Sequence, residues 1–287
     1  MDIIQAIFLG LVQGLTEFFP VSSSGHLILA QDIFGIETDN ALLFDVMLHV
    51  GTLIAVFAVL WKDILGLFKP PFKKLALLAG ASVPAALAGY FLNDIFDRLL
   101  GNGTFLLVLP FMFLLTASLL AVTEFITVRR AKGQGDMFGD TQGRQPCPRD
   151  TNYKGGKPVG IKSAAIMGVA QAIAVIPGLS RSGATICAGV LSGAKRENAA
   201  KFSFFMSIPI ILGSAAFSLI KAGKGAFDGD MSLTAVAAGM IAAAVSGFFA
   251  IKLMLKAISK SNYKWFAAYL GVLFIVTFAN YYIVRFF

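Results

Sequence analysis

Charge is what this chain of 287 residues has least of. Asp, Glu, Lys and Arg make up only 14% of it, where a soluble domain carries about a quarter, and the mean hydropathy is +0.77. So few charges cannot cover a water-facing surface of this size, which excludes an ordinary soluble globule. Cysteine is nearly absent: Cys147 and Cys187 are the whole complement. One lies in a polar stretch and the other in an apolar one, which excludes a disulfide framework. The N-terminus lacks the basic start and small-residue cleavage site of a signal peptide. Its first apolar run is therefore expected to belong to the folded protein.

What the chain does have is long apolar runs. Residues 41–61, 75–93, 104–126, 202–220, 232–256 and 265–284 are each about 20 residues long, the length needed to cross a hydrocarbon core as helix. Helices are required there because lipid offers no partner to a free backbone donor or acceptor. Two further apolar stretches are interrupted. Residues 3–19 break at Phe19-Pro20 and resume at 27–35 after Val-Ser-Ser-Ser-Gly-His. Residues 161–176 break at Ile176-Pro177 and resume at 184–192 after Gly-Leu-Ser-Arg-Ser-Gly. Proline removes a helical donor and disfavours helix in the residue before it, so each stretch predicts two short helices around a loop.

The two interrupted stretches are copies. A shift of 158 residues carries Ser22-Ser23-Ser24-Gly25 onto Ser180-Arg181-Ser182-Gly183, Gln13 onto Gln171, and Phe44 onto Phe202. It also carries Gly89-Tyr90-Phe91 onto Gly247-Phe248-Phe249. One offset serving such distant sites implies duplication of a whole unit. The expected organisation is a first repeat over 1–126, a polar linker over 127–160 and a second repeat over 161–287. Each repeat has a re-entrant segment (3–35 and 161–192) and three spans. An odd number of crossings per repeat inverts the second relative to the first, and paired broken segments at matching positions point to a midplane site. The fold class is thus an all-α polytopic membrane protein of two inverted-topology repeats.

The net charge of +8 does not imply nucleic acid, because the basic residues lie between apolar spans rather than along one face. Lys62, Lys69, Lys73, Lys74, the eight basic residues from Arg129 to Lys162, Lys195, Arg196, Lys201, Lys252, Lys256, Lys260 and Lys264 fall on one side of this topology. Only Arg98, Lys221, Lys224 and Arg285 fall on the other. The rule that cytoplasmic loops are basic makes the first side cytoplasmic. Both termini and the first broken segment then face the exterior, and the second broken segment opens inward.

Ionisable groups at membrane depth are costly and mark pathways or sites. Gln13 and Glu17 are four residues apart, on one helical face, just before Ser22, Ser23, Ser24 and His26. Ser180, Arg181 and Ser182 occupy the equivalent loop of the second repeat. If the loops meet, one pocket gathers a carboxylate, an amide, hydroxyls, an imidazole and a guanidinium, a set suited to phosphoryl transfer. Arg binds phosphate through a planar fork and stays charged when desolvated. Hydroxyls and helix N-termini bind further oxygens, Ser or His can attack phosphorus, and His can move the proton. Glu17, with Gln13 as a neutral oxygen ligand, could hold a divalent cation such as Mg or Ca. Each residue alone has a plainer reading: serines with Gly and Pro often only pack helices. Asp45 and His49 form another same-face pair, able to orient a pocket group or simply to cap and pack.

At these residues the chain resembles the undecaprenyl-diphosphatase, or bacitracin-resistance, family. Gln13-Gly14-Leu15-Thr16-Glu17, Pro20 to His26, and Pro177 to Thr185 look like its three motifs, and the similarity covers nearly the whole chain outside the linker. The resemblance implies hydrolysis of undecaprenyl diphosphate to undecaprenyl phosphate and inorganic phosphate, which recycles the cell-wall lipid carrier and confers bacitracin resistance. It implies a multi-pass protein of the bacterial inner (plasma) membrane with its site open to the exterior. The family's functional residues correspond to Glu17, Ser23, His26 and Arg181. Gln13, Ser22, Ser24, Ser180, Ser182 and Thr185 are expected to contact substrate. Gln13 stands where many members have Glu, which leaves Glu17 as the main metal ligand. Ser23 is expected as nucleophile with His26 as its base and later acid; the alternative makes His26 the nucleophile. The expected partner is a polyprenyl diphosphate lipid. A homodimer is allowed, the sequence leaving oligomeric state open. The competing reading is a lipid or small-anion transporter or flippase using the same midplane site.

Overall fold

Ten α-helices carry the chain in the computed structural model, which describes residues 2–36, 41–101, 105–137, 157–223, 232–258 and 263–284. They are α1 (Ile3–Glu17), α2 (Ser23–Ile33), α3 (Ala41–Leu65), α4 (Lys73–Gly101), α5 (Phe105–Met137), α6 (Ile161–Ile173), α7 (Arg181–Leu191), α8 (Arg196–Ala222), α9 (Leu233–Ile258) and α10 (Lys264–Ala279), the last continued by a π-helical turn, Asn280–Val284. Among the described residues the only extended pairing is an isolated bridge between Lys157 and Ala194.

Six of these helices are long and apolar enough to cross a membrane, and they coincide with the six runs expected from sequence. Their outer faces are apolar: Phe57, Phe91, Ile220, Phe249, Trp265 and Ile275 are all exposed. Such a surface would aggregate in water and is at home in lipid. The molecule is a polytopic helical membrane protein.

The two interrupted stretches are helix pairs broken around Pro20 and Pro177, whereas Pro84, Pro110 and Pro209 lie inside α4, α5 and α8. α1 and α2 flank the loop 18–22, and α6 and α7 flank the loop 174–180. With 15 and 13 residues, α1 and α6 rise only about 20–22 Å, short of a hydrocarbon core about 30 Å thick. Helix α5 continues to Met137, eleven residues past position 126, because once past the lipid the chain carries Arg, Lys and Gln, all good helix formers. Residues 138–156, with Cys147, lie outside the described part; Cys187 is a buried free thiol on α7.

Packing crosses between the halves. α1 lies against α9, and α6, its counterpart, lies against α4, the counterpart of α9; α3 meets α8, and α5 meets α10. The α1–α9 contact is made by small residues. A Cβ added at Gly10 would stand 2.2 Å from the Gly239 carbonyl oxygen, and one at Gly14 would stand 2.0 Å from Ser246 Oγ. Small residues four apart let helix backbones approach where no hydrophobic force drives them together. The same contact recurs 158 residues on, where a Cβ at Gly168 would stand 2.6 Å from the Ala81 carbonyl.

Away from the loops, Arg196 of α8 pairs with the buried Glu124 of α5 at 2.9 Å, and the guanidinium lies over the ring of Tyr263, 4.6 Å from its centroid. The Tyr263 amide also donates to Glu124 (3.3 Å). One buried carboxylate thus ties the body of α5 to the N-terminal ends of α8 and α10.

Candidate active site

Glu17, the last residue of α1, is the centre of the site. Its carboxylate is buried, and each of its oxygens has a partner. Oε1 takes the Arg181 guanidinium as an ion pair. Oε2 accepts from Gln13 Nε2 (2.9 Å) and the Ser23 hydroxyl (2.5 Å), with His49 Nε2 at 3.5 Å. Helical spacing puts Gln13 one turn behind Glu17. The loop between α1 and α2 then turns the chain back so that Ser23, the first residue of α2, reaches the same oxygen.

That turn has a local cause. Ser22 adopts a left-handed conformation (φ 69°), costly for a residue with a Cβ, and caps α2 by accepting from the Gly25 amide (3.2 Å). Its carbonyl also receives His26 Nδ1 at 2.7 Å. Ser180 caps α7 in the same way, accepting from the Gly183 amide (3.0 Å), so both helices begin at the pocket. Helix N-termini carry unpaired N–H groups and partial positive charge. With Arg181, they make the site an anion receptor built around a single carboxylate.

The loops lock together across the halves. The Gly178 amide donates to Ser24 Oγ (3.1 Å), and the Ser182 hydroxyl donates to the Phe19 carbonyl (2.8 Å). The Ser180 amide donates to Thr116 Oγ1 of α5 (3.3 Å). Thr185 turns away from the carboxylate, 2.6 Å from Ser203 Oγ and donating to the Arg181 carbonyl (2.8 Å). The structure therefore brings Gln13, Glu17, Ser23 and Arg181 into direct contact. It places Ser22, Ser24, Ser180 and Ser182 as loop caps and ties, with Thr185 behind them.

His26 sits on the rim. Its Nε2 lies 2.7 Å from the Tyr269 hydroxyl, its ring stacks on Tyr269, and Phe113 meets it edge-on. The Ser23 hydroxyl is bonded to Glu17, not to His26. Asp45 accepts from Gln31 Nε2 of α2 (2.9 Å) and its backbone carbonyl receives His49 Nδ1 at 2.7 Å. It therefore steadies α2 and His49 from outside the carboxylate cluster. Sequence reasoning missed Tyr269, Thr116 and Ser203. The one signal for Tyr269 was that its repeat counterpart, Phe111, is also aromatic.

Two buried polar atoms at the centre have no partner: Gln13 Oε1 and Arg181 Nη1. An oxygen acceptor and a guanidinium donor, each on a side chain that meets Glu17, suit a phosphate-bearing ligand with a hard cation, since such cations take oxygen ligands. Among the described residues no group of three or more His, Cys, Asp and Glu side chains is arranged to hold a metal by itself.

Fold and site together define a polytopic membrane protein with a buried cluster of polar and charged side chains drawn from both halves of its chain. The chain belongs to the family described as bacitracin resistance protein BacA, whose model matches residues 6–276. It is 40% identical over 275 residues to the undecaprenyl-diphosphatase of Carboxydothermus hydrogenoformans, covering 95% of each chain. It is 38% identical over 288 residues to that of Parabacteroides distasonis (97% of this chain, 98% of the relative). With that of Methanosphaera stadtmanae it shares 36% over 304 residues (96% and 97%).

Proposed function

We propose that this chain is an undecaprenyl-diphosphate phosphatase, a membrane-embedded hydrolase that releases inorganic phosphate from undecaprenyl diphosphate and returns undecaprenyl phosphate to cell-wall synthesis. The observation that carries this reading is the meeting of Glu17, Ser23 and Arg181 at one carboxylate, in a chain so similar over its length to undecaprenyl-diphosphatases. Removal of the diphosphate accounts for the bacitracin resistance in the family's name.

In this reading Ser23 is the nucleophile. Its hydroxyl already donates to Glu17 Oε2, so Glu17 takes the proton as Oγ attacks the terminal phosphorus. The bond from phosphorus to the bridging oxygen breaks, undecaprenyl phosphate leaves, and a phosphoserine remains. Water then attacks that phosphorus, His26 assists by taking its proton, and the P–Oγ bond breaks with a proton returned to Ser23. Arg181 offers the open Nη1 to the phosphoryl oxygens, where charge must be stabilised in the transition state. The α2 and α7 N-termini bind the remaining oxygens. Glu17 and Gln13 Oε1 are the residues that would hold a divalent cation, Mg or Ca; when bound, such an ion offsets diphosphate charge.

The two halves are read as inverted repeats, 1–126 and 161–287, joined by the linker 127–160. The crossed pairing of α1 with α9 and α6 with α4 and the short α1 and α6 support re-entrant segments at the midplane. The concentration of Lys and Arg on one side of this topology supports an inner-membrane orientation with the termini and the Glu17 loop toward the exterior. Association as a homodimer belongs to the same reading and is checked by native mass measurement in detergent. The function is tested by phosphate release from undecaprenyl diphosphate by purified protein. Release by wild type and its loss in Arg181→Ala support the reading. No release with either Mg or Ca overturns it in favour of transport.

A further inference from the structure

His26 is gripped at both ring nitrogens, and the two grips come from opposite halves of the chain. Nδ1 lies 2.7 Å from the Ser22 carbonyl oxygen. A carbonyl can only accept, so Nδ1 carries the proton and a neutral ring presents its lone pair at Nε2. Ser22 holds its carbonyl there at the expense of a left-handed backbone. Nε2 in turn is 2.7 Å from the Tyr269 hydroxyl, which must donate to it. The two rings lie nearly parallel, 12° apart with centroids 5.7 Å apart, and Phe113 closes a further side. Among the described residues Tyr269 is the one polar side chain on Nε2.

Tyr269 is itself well placed. It stands on α10, which packs along α5 through Phe111, Phe274, Phe278 and Tyr282. The same helix reaches α2 again at its π-helical end, where the Tyr281 hydroxyl donates to Asp32 (2.5 Å). The helix carrying Ser23 and His26 is therefore tied to α10 at two heights. The repeat counterpart of Tyr269 is Phe111, and that of His26 is Ala184. A phenol from the second half and an imidazole from the first thus meet beside Glu17, and their offset-related counterparts, Phe111 and Ala184, supply neither group.

We infer that Tyr269 is a positioning residue for the hydrolysis: its hydroxyl fixes the tautomer and direction of His26, keeping the Nε2 lone pair ready until the attacking water, or the phosphorus itself, replaces the phenol. The inference rests on the reading of this site as a diphosphatase and adds to it a residue outside the three motifs. It holds whether His26 acts as base or as nucleophile, because both roles need the lone pair at Nε2.

The test uses the scarcity of histidine. With only two histidines in the chain, a 15N-histidine spectrum of the whole protein in detergent resolves His26 once His49→Gln identifies the other ring. Wild type is expected to show His26 as the Nδ1–H tautomer with a hydrogen-bonded Nε2. Tyr269→Phe keeps the stacked ring and removes only the hydroxyl. It is expected to lose the Nε2 hydrogen-bond signature and to lower kcat about tenfold, the worth of one ordinary hydrogen bond, with KM within about twofold. An unchanged His26 signal in Tyr269→Phe overturns the inference. So does a changed signal with normal kcat, or a raised KM at normal kcat, which would make Tyr269 a substrate contact. If wild type itself releases no phosphate, the diphosphatase reading falls and this inference with it. That failure is seen in wild type and is distinct from one confined to the variant.

Discussion

Arg181 and Ser23 occupy equivalent positions of the two halves, 158 residues apart, and both reach the same carboxylate, Glu17. Each is the first residue of its helix, α7 or α2. Of these two offset-related positions one supplies a hydroxyl and the other a guanidinium, with the single acid between them. Val175 stands where a second copy of Glu17 would be, so the pocket has one carboxylate for two cationic or polar arms.

Replacing Arg181 separates charge from shape. Arg181→Lys keeps the charge but loses the planar fork, and phosphate release is expected to fall on the order of 100-fold or more, as when an oxyanion donor is removed. Arg181→Ala also leaves Glu17 as a buried unpaired charge, which should cost about 3–5 kcal/mol of stability. Glu17→Gln in the same chain should return much of that stability without returning activity. Thermal unfolding in detergent beside a phosphate-release assay reads both effects; near-normal turnover in Arg181→Lys would contradict the assigned role.

Ser23→Ala is expected to lower kcat on the order of 1,000-fold, within the range for a group acting at the reacting atoms, while substrate still binds. Rapid quench of wild type with terminally labelled diphosphate into SDS at neutral pH, which preserves both phosphoserine and phosphohistidine, should leave label on Ser23. Label on His26 would instead make the imidazole the nucleophile and Ser23 a phosphate ligand.

The cation prediction turns on Gln13. Gln13→Glu supplies a second carboxylate beside Glu17, and cation affinity rises with ligand charge. The half-saturating concentration of Mg or Ca for phosphate release is expected to drop about tenfold, with chelator abolishing turnover in both proteins. An unchanged half-saturation would remove Gln13 from the cation's ligands.

Much of this was legible in the sequence because the membrane leaves few choices. Apolar runs of span length had to become helices, and Pro20 and Pro177, each beside a polar Ser- and Gly-containing turn, marked the two further stretches that break. The 158-residue offset also paired the loops before any geometry was known. What pattern could not show was contact between side chains from separate spans. Tyr269 lies within an apolar run and reads as an ordinary lipid-facing aromatic until α10 is laid beside α2. Glu124 and Arg196 read as an isolated acid and one more basic residue, yet they form a buried pair. The partner of Ser23 was equally hidden: sequence proximity favoured His26, three residues away and nearly one helical turn on, whereas the folded loop carries the hydroxyl back to Glu17.

The Glu124–Arg196 pair is expected to support the fold and not the chemistry, being tied to Tyr263 and not to the loop carboxylate. Arg196→Met should lower stability by about 3–5 kcal/mol by stranding Glu124, while KM for the diphosphate in the remaining folded protein stays near normal. A selective loss of kcat with unchanged stability would place the pair in the reaction.

The helix contact at Gly10 provides a test of the crossed architecture itself. If α1 is held in place by close approach to α9, a single methyl should be felt there, because at 2.2 Å from the Gly239 carbonyl backbone must move to admit it. Gly10→Ala is expected to cost about 1–3 kcal/mol, the usual range for overpacking, and to displace Glu17 at the far end of the same helix, lowering turnover as well. Gly168→Ala faces the Ala81 carbonyl at 2.6 Å and should be comparably destabilising, but α6 ends without a carboxylate. Its effect on turnover should therefore follow only the loss of folded protein. Gly80→Ala is the control: nothing lies within 4 Å of its added Cβ, and alanine favours helix over glycine by about 0.5–1 kcal/mol, so stability should hold or rise. Equal tolerance at all three positions in thermal unfolding would mean that the α1–α9 and α4–α6 contacts do not hold the two halves together.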